Sequence, residues 1–420
     1  MNIMPLAQES SLQGGFYVPR FEVRIEGADL PDGVLHDVTQ VTYRDNVKEI
    51  DSVELTVNNW DPADRRFKYI GSETPKTLDS TPLYHIFEPC NKEVQVSMGY
   101  MGNTVGSAGQ TSMSQRDNMG GLTVMLTGTF TTMEPNFPSS GAPTLTVRAL
   151  NVLHKLRTKQ YTGTWGDMRD SDIVKNIETL MDQGKKRFPL PIEIDNNARQ
   201  DEPILPILTQ KNQYDIDFIL TRARERGYVV FIKEADKRKK LPRRLYFGPS
   251  DGQVPGLRNV TFELEWGKSL IDFKPTLTTA NQIRSVTVNG WDRRTRKPIT
   301  EKVTLDDKEF KQNRDLYRLL KECDPREEVV VDKPFFTKKD ARNWAIALLK
   351  DRQKEMVKAS GTTIGLPDLR AGQRVLITGI GSRLGGIYFV TDTTHTIGDS
   401  GYITRFNARR EDEKLGGLQS

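Results

Sequence analysis

Two stretches of this chain repeat one another in the same order, which constrains it to build one kind of unit twice. Thr56-Val57-Asn58-Asn59-Trp60-Asp61 is matched by Thr287-Val288-Asn289-Gly290-Trp291-Asp292. Both copies end an alternating run in a turn. Further on, Gly120-Gly121-Leu122 opens a strand leading to Thr129-Phe130-Thr131, and Gly385-Gly386-Ile387 opens one leading to Thr394-His395-Thr396. Each is followed by a Ser-Gly turn, Ser140-Gly141 or Ser400-Gly401, and by a strand reaching Ala149 or Ala408. The repeat predicts that Asn58, Trp60 and Asp61 superpose on Asn289, Trp291 and Asp292 as structural residues of two related domains. The two tryptophans are then buried at barrel corners. His395 takes the place of Phe130 and has a packing role.

Around these matches apolar and polar residues alternate, as in Phe21 to Ile25, Val53 to Val57 and Leu145 to Ala149, the pattern of half-buried strands. Small antiparallel sheets avoid exposed edges by closing into barrels. The expected fold is mainly β with an α+β insertion, two duplicated β-barrels plus a smaller helical middle segment. The segments are an arm (1–15), a first barrel (16–161), a middle domain (162–259), a second barrel (260–410) and a tail (411–420). Residues 98–120, rich in Gly, Ser, Met and Asn, read as a mobile loop between strands. In the middle domain Ser171 caps a helix bearing Ile173, Val174, Ile177, Leu180 and Met181, with Gly184 just past its end. A second helix carries Ile216, Ile219, Leu220 and Ala223 and stops at Gly227. Thr337 and Asp340 start a third, with Ala341, Trp344, Ala345, Leu348 and Leu349 as its stripe.

Several chemistries find no support. No run of about 18 apolar residues is present, and the first fifteen residues lack the basic start and apolar segment of a secretory signal. Cys90 and Cys323 are too far apart to suggest a disulfide scaffold or a zinc ribbon. A net charge of +5 on 420 residues is too mild to argue for nucleic-acid binding. His36, His85, His154 and His395 lack metal-binding spacing, and no Gly-x-Ser-x-Gly elbow occurs. The glycine-rich run Gly379 to Gly386 precedes a strand instead of the helix a phosphate loop needs, so it is a hairpin connection. Asp201 and Glu202 are two of 56 carboxylates and make no case for a glycosidase pair. Neither a cofactor nor a metal is implied. The basic turn of Lys237, Arg238, Lys239, Lys240, Arg243 and Arg244 is either a solvated loop or a contact for an acidic partner.

Two stretches resemble the late-control protein D family, the hub proteins of contractile tails. Asp215, Phe218, Ile219, Ala223, Gly227 and Tyr228 are similar, with slightly shifted spacing, to that family's helix of the form D-x-x-F-L-x-x-x-A-x-x-x-G-Y. Gly361 to Gly372, Val375 to Gly381, Gly386 to Val390, His395 and Gly401 to Thr404 resemble its C-terminal signature in order. The resemblance implies a non-enzymatic homotrimer whose six barrels adapt a six-fold tail tube to a three-fold spike. It implies as partners the tube protein, other baseplate proteins and a spike on a separate chain, since ten residues follow Arg410. No membrane insertion and no sequence-specific nucleic-acid binding are expected. The location implied is the baseplate of a phage tail or injection particle, assembled in the bacterial cytoplasm. The competing readings are a tail-borne cell-wall hydrolase and a peptidoglycan- or carbohydrate-binding module.

Overall fold

The computed structural model describes residues 18–71, 83–89, 92–101, 122–233, 242–250, 252, 260–280, 282–292, 295–307, 310, 326–331, 335, 337–381 and 383–411. The chain is mainly β. Its first part holds β1 (Val18–Ile25), β2 (Ala28–Asp29), the helix α1 (Asp32–Asp37), β3 (Val38–Asn46), β4 (Ser52–Asn58), β5 (Trp60–Asp61), β6 (Arg66–Phe67), β7 (Glu93–Met101), β8 (Thr123–Asn136) and β9 (Thr144–Asn151). Alternation along β4 and β9 drives Val53, Leu55 and Val57, and Leu145, Val147 and Ala149, fully out of solvent. Six strands pair antiparallel in the order β1-β7-β8-β9-β4-β3, and all six contribute to one core. The loop expected over 98–120 starts later than the composition suggests. Met98 is fully buried, because β7 runs on to Met101; residues 102–120 lie outside the described residues.

The middle part holds β10 (Tyr161–Met168), α2 (Asp170–Ile177), β11 (Met181–Asp182), β12 (Lys185–Lys186), β13 (Ile192–Ile194), α3 (Asn196–Asp201), β14 (Leu205–Gln213), α4 (Asp215–Arg226), β15 (Val229–Lys233) and β16 (Arg244–Gly248). α2 is shorter than its sequence pattern suggests. Bonds from Thr179 N to Asn176 O (2.9 Å) and Leu180 N to Ile177 O (3.2 Å) tighten the chain into a turn. Met181 then pairs with Lys186 in a hairpin around Gln183 and Gly184, both at positive φ, and stays 58% exposed. α4 ends at Gly227, whose φ of 68° is a left-handed conformation suited to glycine.

The last part holds β17 (Val260–Glu265), β18 (Leu270–Leu277), β19 (Ile283–Asp292), β20 (Lys297–Thr304), β21 (Arg326–Val330), α5 (Lys338–Lys354), β22 (Val357–Ile364), β23 (Arg374–Thr378), β24 (Gly386–Gly398) and β25 (Gly401–Arg410). Six of these strands pair in the order β17-β23-β24-β25-β22-β18 around a second core. The other three form a separate sheet, β20-β19-β21. α5 packs on it through Ala341, Ala345 and Leu349, and Thr337 Oγ1 accepts a bond from Asp340 N (3.1 Å) at its start.

The two barrels share a strand order, with β3, β4, β7, β8 and β9 corresponding to β18, β22, β23, β24 and β25. The sixth strand differs in direction, since β1 is antiparallel to β7 whereas β17 is parallel to β23. A shared bulge fixes the alignment. Phe130 faces Ala149, Thr132 faces Arg148, and Thr131 is the extra residue. Val390 faces Ala408, Asp392 faces Asn407, and Thr391 is the extra residue. Both threonine hydroxyls donate across the strand pair, Thr131 to Arg148 O (3.3 Å) and Thr391 to Asn407 O (3.1 Å).

The duplication is therefore real, but two residue correspondences expected from the sequence are wrong. Val390, not His395, is the counterpart of Phe130. The counterpart of β4 is β22, because each stands between β9 or β25 and β3 or β18; β19, which carries Asn289, Trp291 and Asp292, lies outside the second barrel. Trp291 is 53% exposed, opposite Pro298. Trp60 is half-buried in the small β5–β6 hairpin, edge-on to Phe67 at 5.3 Å.

Candidate interaction surface

β3 uses its free edge to pair with β24, so the two barrels merge into a thirteen-stranded sheet. The ladder runs antiparallel from Asn46 opposite Asp392 to Val41 opposite Ile397. Val47 N donates to Thr391 O (3.0 Å) at its end. Because bonded and non-bonded pairs alternate, Asp45 with Thr393 and Tyr43 with His395 occupy bonded positions.

The inward side of this seam is polar and buried. Arg370, in the loop between β22 and β23, donates from Nε to Asp45 Oδ2 (3.1 Å), and from Nη2 to Tyr43 OH (2.6 Å) and Met125 O (2.8 Å). Its guanidinium lies 4.4 Å from the centre of the Tyr43 ring. Asp45 also accepts from Ala371 N (3.0 Å) and from the Thr393 hydroxyl. Burial pushes the Asp45 carboxyl up, and the Arg370 charge with these hydrogen bonds only partly offsets it. Asp51, which accepts from Asn151 Nδ2 (2.8 Å), is pushed up to about 7 by burial and by the Asp45 charge. His395 is fully buried. Its Nε2 faces Leu369 O at 2.9 Å and its Nδ1 lies 3.1 Å from Tyr402 OH. Burial and the Arg370 charge hold it down near 3, so it is neutral. This arrangement can hold two barrels in one register. It offers no exposed group for chemistry.

The outward side of the merged sheet is polar across eight consecutive strands, β18-β22-β25-β24-β3-β4-β9-β8. Arg148 pairs with Glu54 at 3.1 Å and Asn407 donates to Asp392 at 2.7 Å. Such half-exposed pairs contribute little stability, but they keep the face wet and of mixed sign.

The residues singled out from sequence fall elsewhere. Asn58 Oδ1 accepts from Trp60 N (3.3 Å). Asp61 accepts from Ala63 N (3.0 Å), and Asp292 accepts from Thr295 N (3.1 Å) and Thr295 Oγ1 (2.6 Å). Asn289 Oδ1 accepts from the Thr300 hydroxyl (3.0 Å). The repeated motif is thus a strand ending in an aspartate turn, used in two unrelated sheets. Lys237, Arg238, Lys239 and Lys240 lie outside the described residues. Arg243 reaches Thr127 Oγ1 (3.2 Å) and Arg244 pairs with Glu193 (3.0 Å). Glu202 is buried and accepts from Ser171 N (2.8 Å) and Tyr228 OH (3.1 Å); it ties down the start of α2, and burial pushes its carboxyl up. The seam residues Asp45, Arg370 and Thr393 escaped the sequence reading. The only signal of Asp45 and Thr393 was polarity at strand positions that otherwise alternate toward the core, and Arg370, in a loop, had none of that kind.

No helix among the described residues is long and apolar enough to cross a membrane, and no group of three or more His, Cys, Asp or Glu among them could hold a metal ion. No curated protein matches the chain in sequence. Among solved structures, the 43 kDa tail protein of prophage MuSo2 from Shewanella oneidensis aligns with a TM-score of 0.59 at 12% identity, over 93% of this chain and 98% of that one. A tail protein from Neisseria meningitidis gives 0.59 and 12%, over 94% and 97%. The E. coli c3393 protein, a component of the type VI secretion system with structural similarity to bacteriophage T4 tail proteins, gives 0.51 and 12%, over 93% and 77%. The fold is that of phage tail proteins. In sequence, the profile of the Alg8_N family, the Alg8 N-terminal domain, matches residues 123–399, more than half of the chain, from the start of β8 to just past β24. By that match, the chain belongs to the Alg8 N-terminal domain family.

Proposed function

We propose that this chain is the structural hub of a contractile-tail baseplate, of the late-control protein D type, and acts without catalysis. The observation that carries the reading is the pair of barrels with one strand order and one bulge, joined edge to edge. A six-fold tube meets a three-fold spike without mismatch when three chains each bring two equivalent barrels. On this reading the chain sits in the tail baseplate of a virion or injection particle, assembled in the bacterial cytoplasm, against a tube protein, a separate trimeric spike and other baseplate proteins. The barrels come from 16–161 and from 260–410, the latter interrupted by the separate sheet of β19 to β21 with α5, and residues 162–259 form the middle domain. The basic turn 237–244 is a contact for an acidic neighbour.

The test is removal of the chain from a producing strain. The expected result is loss of spike-bearing baseplates and of a starting point for tube polymerisation, with a native complex of three chains recovered from wild type. Particles that assemble normally and fail only in killing would favour the cell-wall hydrolase reading. Sustained release of fragments from purified peptidoglycan would establish it. Tight binding of peptidoglycan without cleavage would favour the binding-module reading.

A further inference from the structure

The face of the second barrel that meets the middle domain carries two arginines that the barrel plan does not require. Arg374 of β23 stands opposite Phe389 of β24, and Phe389 stands opposite Arg409 of β25. Residues opposite one another share a face, and their neighbours Val375, Tyr388 and Ala408 belong to the barrel core. The row therefore points out of the barrel. Phe389 is fully buried there with Val229 and Tyr246 of the middle domain. In the equivalent row of the first barrel stand Glu93, Thr129 and Leu150, so the arginines belong to this contact and not to the shared backbone plan.

Glu411, two residues past Arg409 and so on the same face, closes the row. Arg409 Nε donates to its Oε1 (2.9 Å) and Arg374 Nη2 to its Oε2 (3.2 Å). Ser250, just past the end of β16, is fully buried and donates to Glu411 Oε1 (2.5 Å). The same hydroxyl accepts from Arg409 Nη2 (3.0 Å) and from Nζ of Lys354 (3.3 Å), the last residue of α5. It thus uses its one proton and both lone pairs. The Arg409 and Glu411 side chains are 7% and 2% exposed. Arg374 Nε is buried and has no hydrogen-bond partner among the described residues. Three cations therefore surround one carboxylate, and burial makes that surplus of positive charge costly unless an anion stays in place.

We infer that Arg374, Arg409, Lys354 and Ser250 form a carboxylate-binding cradle, and that Glu411 occupies it as a latch fastening the middle domain and the end of α5 to the second barrel. The apolar contact around Phe389 gives the joint its area. The carboxylate fixes its geometry, because charge-assisted bonds from several directions leave little freedom. The latch joins parts of one chain and does not depend on the hub reading.

Chemical rescue of the full chain tests the latch. Glu411→Ala empties the cradle and leaves space for a small anion. Its urea midpoint is expected to fall, and hydrogen exchange to quicken in β15, β16 and the last turn of α5, while β4 and β9 keep their protection. Acetate is expected to restore most of the loss in a saturable way. Sodium chloride at equal concentration should restore little, and wild type should respond to neither salt. A Glu411→Ala chain that refolds only with acetate present is the same result in stronger form. Glu411→Gln keeps the volume and loses the charge. It is expected to loosen β15 and β16 and to ignore acetate, and it decides the matter if Glu411→Ala does not fold. Unchanged exchange in β15 and β16, a loss spread evenly over the chain and indifferent to acetate, or chloride as effective as acetate overturns the latch.

Discussion

Across the first barrel, Leu55 of β4 faces Val147 of β9; at the equivalent place in the second, Gly361 of β22 faces Phe406 of β25. Two medium side chains are exchanged for none and a large one. A Cβ added to Gly361 would lie 2.5 Å from the Phe406 ring, so the ring occupies the volume the glycine leaves. The backbone plan is common to both barrels, while the volume filling it is settled locally and pairwise, as close packing requires. The barrels also differ at their edges. β3 is sealed by a buried ion pair and a neutral histidine, whereas β18 carries Pro275 between Phe273 and Leu277.

The comparison can be broken most severely at the seam. Arg370→Ala leaves Asp45 buried without its cation and should cost about 3–5 kcal/mol. Urea denaturation should show the loss, and hydrogen exchange should show it concentrated in β3 and β24. Unchanged stability would remove the ion pair from what holds the barrels together.

The packing exchange is sharpened by importing the first barrel's pair into the second. Gly361→Leu alone overpacks, and Phe406→Val alone leaves a cavity. Together they should recover about 1–3 kcal/mol relative to the sum of the single changes. Additive losses would mean that the two barrels are not equivalent at this position.

The pH dependence separates the two sides of the seam. The Asp51 carboxyl titrates near 7 in the folded chain and about 3.9 when unfolded. The folded state therefore holds the extra proton between these values. Stability from Asp51 is full below the lower value and lost as pH rises through about 7. His395 acts oppositely. The folded ring refuses a proton down to about 3, so its contribution is full above about 6.5 and falls on acidification. Asp51→Asn removes only the first effect. Wild type should gain on this variant by about 3–4 kcal/mol between pH 7.5 and pH 4, read by urea midpoints; a constant difference would refute the assignment.

The smallest effect tests the alignment itself. Thr131→Val and Thr391→Val each remove one hydroxyl bond at a bulge and should each cost about 1 kcal/mol. Similar losses in the two barrels support their equivalence. A loss in only one would restrict the shared bulge to backbone geometry. Trp291→Ala, attractive from sequence, does not probe the second barrel, because Trp291 is exposed on β19.

The sequence by itself determined the local elements. Period-two alternation marked β1, β4 and β9, because side chains on a strand face opposite sides in turn. Gly227 marked the end of α4 and Thr337 the start of α5, because caps satisfy backbone groups within a few residues. Even the false correspondence of Trp60 with Trp291 reported something true, an aspartate turn after a strand in both places. Tertiary structure decided which strands became neighbours. The excursion of β19 to β21 and α5 between β18 and β22, the replacement of Leu55 and Val147 by Gly361 and Phe406, and the meeting of Asp45 with Arg370 depend on residues tens to hundreds of positions apart. No local propensity encodes such pairings. They are selected by complementary volume and by the cost of leaving a buried charge or strand edge without a partner.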